Sequence, residues 1–155
     1  MSLATRHANA DDSPGLLLWQ VTNAWQAAQR AALKPFGLTH VQFVLLATLT
    51  YLESSGPVTQ KALADMAATD AMMTSQVLRT LESRELLHRT PHPSDRRARA
   101  LVVTPAGREL ANRAVVAAEA CDTAFFSELD DDLPAFIAAL RTLRTSLTPP
   151  LPGPK

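Results

Sequence analysis

In the stretch "HPSDRRARALVVTPAG", residues 92–107, Arg96, Arg97 and Arg99 fall within four positions, directly after a Pro-Ser-Asp turn that ends on Asp95. A guanidinium is permanently charged and presents a flat fork of donors, so such a cluster suits contact with a multiply charged anion. The whole chain gives no reason for it, since 15 Lys and Arg balance 15 Asp and Glu. The charge is instead unevenly placed. Between positions 72 and 113, arginines 79, 84, 89, 96, 97, 99, 108 and 113 stand against acids 82, 85, 95 and 109. Between 119 and 132 every charged residue is an acid: 119, 122, 128, 130, 131 and 132. That polarity suits a protein that presents one face to a polyanion and keeps another away.

Other residue types with chemical potential lack a framework. No Ser-His-Asp, Cys-His or paired-carboxylate arrangement is recognisable, so no enzyme is expected. The "DDD" at 130–132 reads as a helix cap and solvated turn. His88 and His92 are four apart but lie across a strand and a proline turn, which defeats the helical geometry of a metal pair. Cys121 has no partner for an internal disulfide and reads as a small buried apolar residue. No cofactor or metal is expected. With no apolar run near about 18 residues and no secretory stretch in "MSLATRHANADD", the expectation is a cytoplasmic protein without a membrane span.

The elements that must position the arginines follow from periodicity. A chain of 155 residues, 46% apolar and with 5 Gly, favours one helix-rich domain. Residues 1–12 have no period and are expected to be a flexible arm. From Pro14 to about Lys34, Leu17, Leu18, Val21, Ala24, Trp25, Ala28 and Ala32 recur at helical spacing, with Ser13 as cap, and Pro35 and Gly37 end the run. Thr39 caps a second helix, "HVQFVLLATLTYLE", apolar enough to be the central one. Thr59 caps a short third, "QKALADMA", and the turn 68–70 leads to a fourth over about 71–86. There Thr74, Val77, Leu78 and Leu81 point inward, and Met73, Ser75, Gln76, Arg79 and Thr80 outward.

"LLHRT" and "RALVVT" then form a β-hairpin around "PHPSD", with Pro91 and Pro93 stiffening the loop. Thr104 and Pro105 open a fifth helix to about 128, with Leu110, Val116, Ala117, Ala120, Cys121, Ala124 and Phe125 available for burial. A last helix carries Leu133, Phe136, Ile137, Leu140, Leu143 and Leu147, and "TPPLPGPK" cannot continue it.

A short helix, a tight turn and a helix with a polar outer face make a helix-turn-helix, and a basic hairpin directly after it is a wing. The arginines are gathered because the loop reaches DNA, where a flat guanidinium enters a narrow minor groove. "DRRARALVVTPAG" resembles the Asp-x-Arg-(x)3-aliphatic-x-aliphatic-Thr-x-x-Gly wing signature of the MarR family of bacterial transcription regulators. "LTHVQFVLLATL", "VTQKALADM" and "MMTSQVLRTLESRELLHR" match that family's second, third and fourth helices in order and distance, and the likeness spans about residues 14–147.

The resemblance implies a mainly α fold with a β-hairpin wing: a winged helix-turn-helix over 38–104 and a helical dimerisation region over 13–37 and 105–148, with a flexible tail at 149–155. It implies a homodimer bound to a pseudo-palindromic double-stranded DNA operator, usually as a repressor released by a small molecule or by oxidation. On this footing Arg97 is assigned to the minor groove, and Asp95 to holding the loop and the Arg97 guanidinium. Arg96 and Arg99 are given phosphates. Met73, Ser75, Gln76 and Arg79 lie on the reading face, where Gln suits adenine, Arg suits guanine, and Met72 or Met73 suits thymine methyls unless one is core. Thr39, Thr59 and Thr69 cap helices whose amides meet phosphate. Trp19, Trp25, His40, Phe43 and Tyr51 are candidates to line a cleft for a small aromatic or phenolic ligand, though each also suits core or interface. Where the family commonly has Gly after the reading helix this chain has Glu85, so either the helix runs on or the junction is strained. The competing expectations are a winged-helix module that binds protein, and a redox- or metal-responsive regulator.

Overall fold

The computed structural model describes residues 3–147. Six helices and one hairpin follow in order: α1 Pro14–Leu33, α2 His40–Leu52, α3 Gln60–Ala67, α4 Ala71–Ser83, β1 Leu87–Pro91, β2 Arg99–Val103, α5 Pro105–Phe125 and α6 Leu133–Leu147. The segment 149–155, expected to be a tail, lies outside the described residues. Among those residues no single helix is long and apolar enough to cross a membrane.

The local chemistry explains the boundaries. Ser13 accepts the Leu16 amide and Pro14 takes the first helical position of α1, where its missing N–H costs nothing. Gly37 turns the chain at φ 64° after a 3-10 turn over Lys34–Phe36. Thr39 and Gln42 form a reciprocal capping box on α2. A 3-10 turn at Ala10–Asp12, held by Asn9 and Asp12, lies within the stretch expected to be a flexible arm.

Three expectations need correcting. Thr69 does not cap α4; Asp70 does, its carboxylate accepting the Met73 amide at 2.7 Å. The Thr69 hydroxyl pairs instead with the Thr74 hydroxyl at 2.7 Å, because Ala68 turns left-handed (φ 53°) and moves the helix start one residue on. Next, α4 ends at Ser83, not 86, and Glu85 adopts φ 58°: the junction takes the left-handed alternative. Lastly, α5 ends at Phe125, and its buried residues are Gly107, Ala111, Ala114 and Ala118. Val116 is 67% exposed, and Ala120 and Ala124 are exposed too. Small side chains let α1 and α2 approach the α5 backbone, while Leu110, Ala117, Cys121 and Phe125 of the expected set are half-buried.

The core is a leucine cluster. Leu45, Leu46 and Leu49 of α2 meet Leu63 of α3, Leu78 and Leu81 of α4, and Leu87 and Leu101 of the hairpin, all fully buried. The hairpin is antiparallel, with Leu87 opposite Val103 and Pro91 opposite Arg99. An isolated bridge ties Leu101 to Val58, whose carbonyl accepts the Leu101 amide at 2.8 Å.

Candidate nucleic-acid interface

Helix α3, a left-handed turn and α4 form the helix-turn-helix. The inner row of α4 is Thr74, Leu78 and Leu81, all buried. Met72, Gln76 and Arg79 follow one another at helical spacing on the outer face and are exposed. Met73 is exposed beside them, so neither methionine is core, while Ser75 is half-buried.

The wing tip holds itself in shape. The His92 amide donates to the Ala98 carbonyl and the Ala98 amide to the Asp95 carbonyl, each at 3.2 Å. His92 Nδ1 accepts the amides of Ser94 and Asp95, also at 3.2 Å, so its lone pair is committed to the turn. Asp95 does hold the loop, but through the Arg97 amide at 2.9 Å, not through the guanidinium. Two residues of separation let its carboxylate close a turn over the backbone. The Arg96 and Arg97 side chains are left exposed, with no partner among the described residues. Arg99 is exposed but leans back, donating to the Arg89 carbonyl at 3.3 Å.

The eight arginines of this region therefore divide by role. Arg84 donates to the Gly37 carbonyl, Arg89 to Glu82 and Gln60, and Arg108 to Glu53, while Arg113 lies 5.8 Å from the Phe36 ring centre. These four bind distant elements together. Arg99 bonds only within the hairpin, and Arg79, Arg96 and Arg97 have no such duty among the described residues. Sequence reasoning missed Glu53, whose two oxygens accept the Val103 amide at 2.6 Å and Arg108 at 2.7 Å, fixing the second wing strand to α5. Nothing in its local sequence points to that role.

The signature's Thr and Gly have a visible function. Thr104 accepts the Gly107 amide, caps α5, and donates its hydroxyl to the Glu85 carbonyl. Its own amide donates to the Leu86 carbonyl. A side chain at Gly107 would meet that same carbonyl oxygen at 2.0 Å, so α5 can sit on the wing root only if the residue there lacks one.

Of the caps expected to meet phosphate, Thr39 and Thr59 are N-caps and Thr69 is not. Of the five aromatic and histidine candidates, two touch: Trp25 and His40 meet edge to face at 5.0 Å. Trp25 donates to Asp122 at 2.7 Å and Gln29 donates to the same oxygen at 2.7 Å and to the Ala118 carbonyl at 3.1 Å. Gln29 is buried and its side-chain carbonyl has no partner among the described residues. Burial disfavours the His40 imidazolium and moves its pKa below the usual 6.5, against the pull of Asp122 and with a smaller push from Arg30. Phe43 is half-buried against the leucine core, whereas Trp19 and Tyr51 are each 69% exposed. An open cavity of about 370 Å³ lies elsewhere, between the wing and the turn after α2, lined by Glu53, Pro57, Pro93 and Arg108 among others.

Cys121 is half-buried, and burial, helped by Asp122, pushes its thiol pKa up, which disfavours the reactive thiolate. Among the described residues no group of three His, Cys, Asp or Glu side chains could hold a metal ion.

This arrangement has relatives. The family model of MarR regulators matches residues 38–98. The transcriptional regulator YdcH of Bacillus subtilis is 42% identical over 128 residues, 82% of this chain and 87% of that protein. The transcriptional repressor Rv2887 of Mycobacterium tuberculosis is 35% identical over 121 residues, 77% of this chain and 85% of that protein. The structure of Rv2887 in complex with p-aminosalicylic acid aligns with a TM-score of 0.67 at 29% identity, over 86% of this chain and 99% of that one. CouR of Rhodococcus jostii RHA1, solved with p-coumaroyl-CoA bound, aligns with a TM-score of 0.80 at 27% identity, over 94% of this chain and 99% of that one. With the helix-turn-helix, the self-ordered wing and these relatives together, the chain belongs to the MarR family of winged-helix, DNA-binding transcription regulators, which are not enzymes.

Proposed function

We propose that this regulator is a homodimeric repressor that works on a pseudo-palindromic operator in the cytoplasm, with 38–104 as its DNA-binding region and 13–37 with 105–148 as its dimerisation region. Met73, Ser75, Gln76 and Arg79 on α4 read the major groove. Arg97 enters the minor groove, Arg96 and Arg99 take phosphates, and Asp95 orders the tip. Thr39 and Thr59 head helices whose free amides face phosphate. The observation that carries this reading is the wing tip, which commits its polar groups to its own turn and leaves the Arg96 and Arg97 side chains without partners among the described residues. Dimer formation draws support from α6, whose main contact among the described residues is the 3-10 turn before it, and whose Ile137, Leu140 and Leu143 are exposed.

A small aromatic or phenolic molecule near Trp25, His40 and Phe43 would modulate binding by preferring one spacing of the two reading heads. The p-coumaroyl-CoA of CouR and the p-aminosalicylic acid of Rv2887 support that class of ligand by likeness.

The test compares wild type with Arg97→Ala on DNA from upstream of the regulator's own gene, against scrambled DNA and over a salt series. If that DNA shows no preference, an operator is sought by selection from random sequence. Removing one cation from each wing should weaken operator binding on the order of tenfold. It should also make log affinity fall less steeply with log salt, by about two units for the dimer. Equal, weak binding of both proteins to every DNA, with no sequence enriched on selection, would leave the wing a protein-binding surface.

A further inference from the structure

We infer that Met72 is a specificity-determining residue, which recognises the C5-methyl group of a thymine in each half-site. The inference rests on the proposed placement of α4 in the major groove. Residues at the start of a reading helix come nearest the base edges. In this helix that place is held by Ala71, Met72 and Met73, none of which has a side-chain donor or acceptor able to pair with a base. Met72 is 80% exposed and contributes nothing to the leucine core, so the fold gives no account of its size.

Phosphate is not what this end of α4 is built to receive. Asp70 already fills the first turn with a carboxylate, bonded to the Met73 amide. A negative group there offsets the helix dipole and repels a phosphate oxygen. What remains for an apolar, flexible side chain in the major groove is the one apolar feature of the base edges, the thymine methyl. The outer row gives an order as well. Gln76 lies one turn along, roughly 6 Å from Met72, and Arg79 roughly 4.5 Å beyond that. With base pairs about 3.4 Å apart, the thymine should stand within about two steps of the base that Gln76 reads, on the side away from Arg79.

The test uses the full-length protein and an operator selected from random sequence. Each thymine is replaced in turn by deoxyuridine, symmetrically in both half-sites, which removes the methyl and leaves every hydrogen-bonding group. Losing one buried methyl per half-site should weaken wild-type binding about fourfold for each, so on the order of tenfold or more for the pair, at one position. Met72→Ala, at an exposed site, should bind the thymine operator about as weakly as wild type binds the deoxyuridine one, and should no longer distinguish the two. Met72→Leu, which keeps an apolar side chain, should restore the distinction.

A selected operator that shows no sensitivity to deoxyuridine anywhere would overturn the inference while leaving the proposed function intact. So would a sensitive thymine that Met72→Ala still distinguishes, since another residue would then be its reader. Failure to enrich any sequence would remove the proposed function and this inference with it.

Discussion

The winged unit and the helical region of α1, α5 and α6 are built on different terms. In the first, leucines from α2, α3, α4 and the hairpin are fully buried within one chain, and Glu53, Arg84, Arg89 and Arg108 bind its edges together. In the second, α5 buries only Gly and Ala, Val116 faces outward, and Leu143 of α6 is 56% exposed. A buried Gln29, whose side-chain carbonyl has no partner among the described residues, sits between α1 and α5 inside that second region. The leucine core runs on into the second region through Leu33, Ala111, Ala114 and Ala118, yet that region still carries a run of apolar surface that single exposed residues do not explain. The reading helix is thus carried on the part with the larger leucine core, and the exposed apolar surface lies on the part proposed to dimerise.

The sharpest way to break this contrast is to charge α6. Leu140→Glu with Leu143→Glu should raise the dissociation constant of the proposed dimer by at least about 100-fold, since two charges would have to be desolvated in each copy. Analytical ultracentrifugation reads that change directly, and operator affinity should fall with it. The helical circular dichroism should stay close to wild type, because the leucine core of the winged unit is untouched. A double variant that still sediments as a dimer would place the interface on another face.

A smaller effect tests how firmly the two regions are joined. Gly107→Ala puts a Cβ 2.0 Å from the Leu86 carbonyl oxygen and 2.9 Å from its carbon, both backbone atoms that cannot swing aside. The joint must open, at a cost of about 3 kcal/mol, the upper end of ordinary overpacking. The urea midpoint should fall with little change in slope. An unchanged midpoint would mean that α5 is free to shift on the wing root, and that the winged unit is less rigid than its bonding suggests.

Much of this was legible from local chemistry. Ser13, Thr39, Thr59 and Thr104 are the caps that their positions imply, and the hairpin and its basic tip lie where β-branched and turn residues put them. The start of α4 was not legible, because Thr69 and Asp70 are both good caps and the choice depends on Ala68 turning left-handed, which alanine does not advertise. The burial of α5 was legible only in part, since Leu110, Ala117, Cys121 and Phe125 are half-buried whereas Val116, Ala120 and Ala124 are exposed. Helical period identifies an apolar face, but only tertiary approach decides that the Ala111, Ala114 and Ala118 stripe goes in and Val116 stays out. The division of the arginines was hidden as well. Arg84 is bound 47 residues away and Arg108 55 residues away, and sequence spacing cannot show such contacts.

The smallest effect concerns Glu85, on the same joint. Its φ of 58° costs an L-residue with a side chain about 1 kcal/mol that glycine avoids. Its backbone bonds, from its amide to the Glu82 carbonyl and from Thr104 to its own carbonyl, are available to any residue. Glu85→Gly should therefore stabilise the protein, by about 0.5 kcal/mol once the greater freedom of glycine in the unfolded chain is set against the relieved strain. In a chain of this size that is a rise of about 2 °C in the melting midpoint. Glu85→Ala separates strain from charge. Alanine pays the same left-handed penalty, so it should leave the midpoint near wild type. If alanine stabilised as much as glycine, removal of an acid would be the cause, and the joint would carry no strain to relieve.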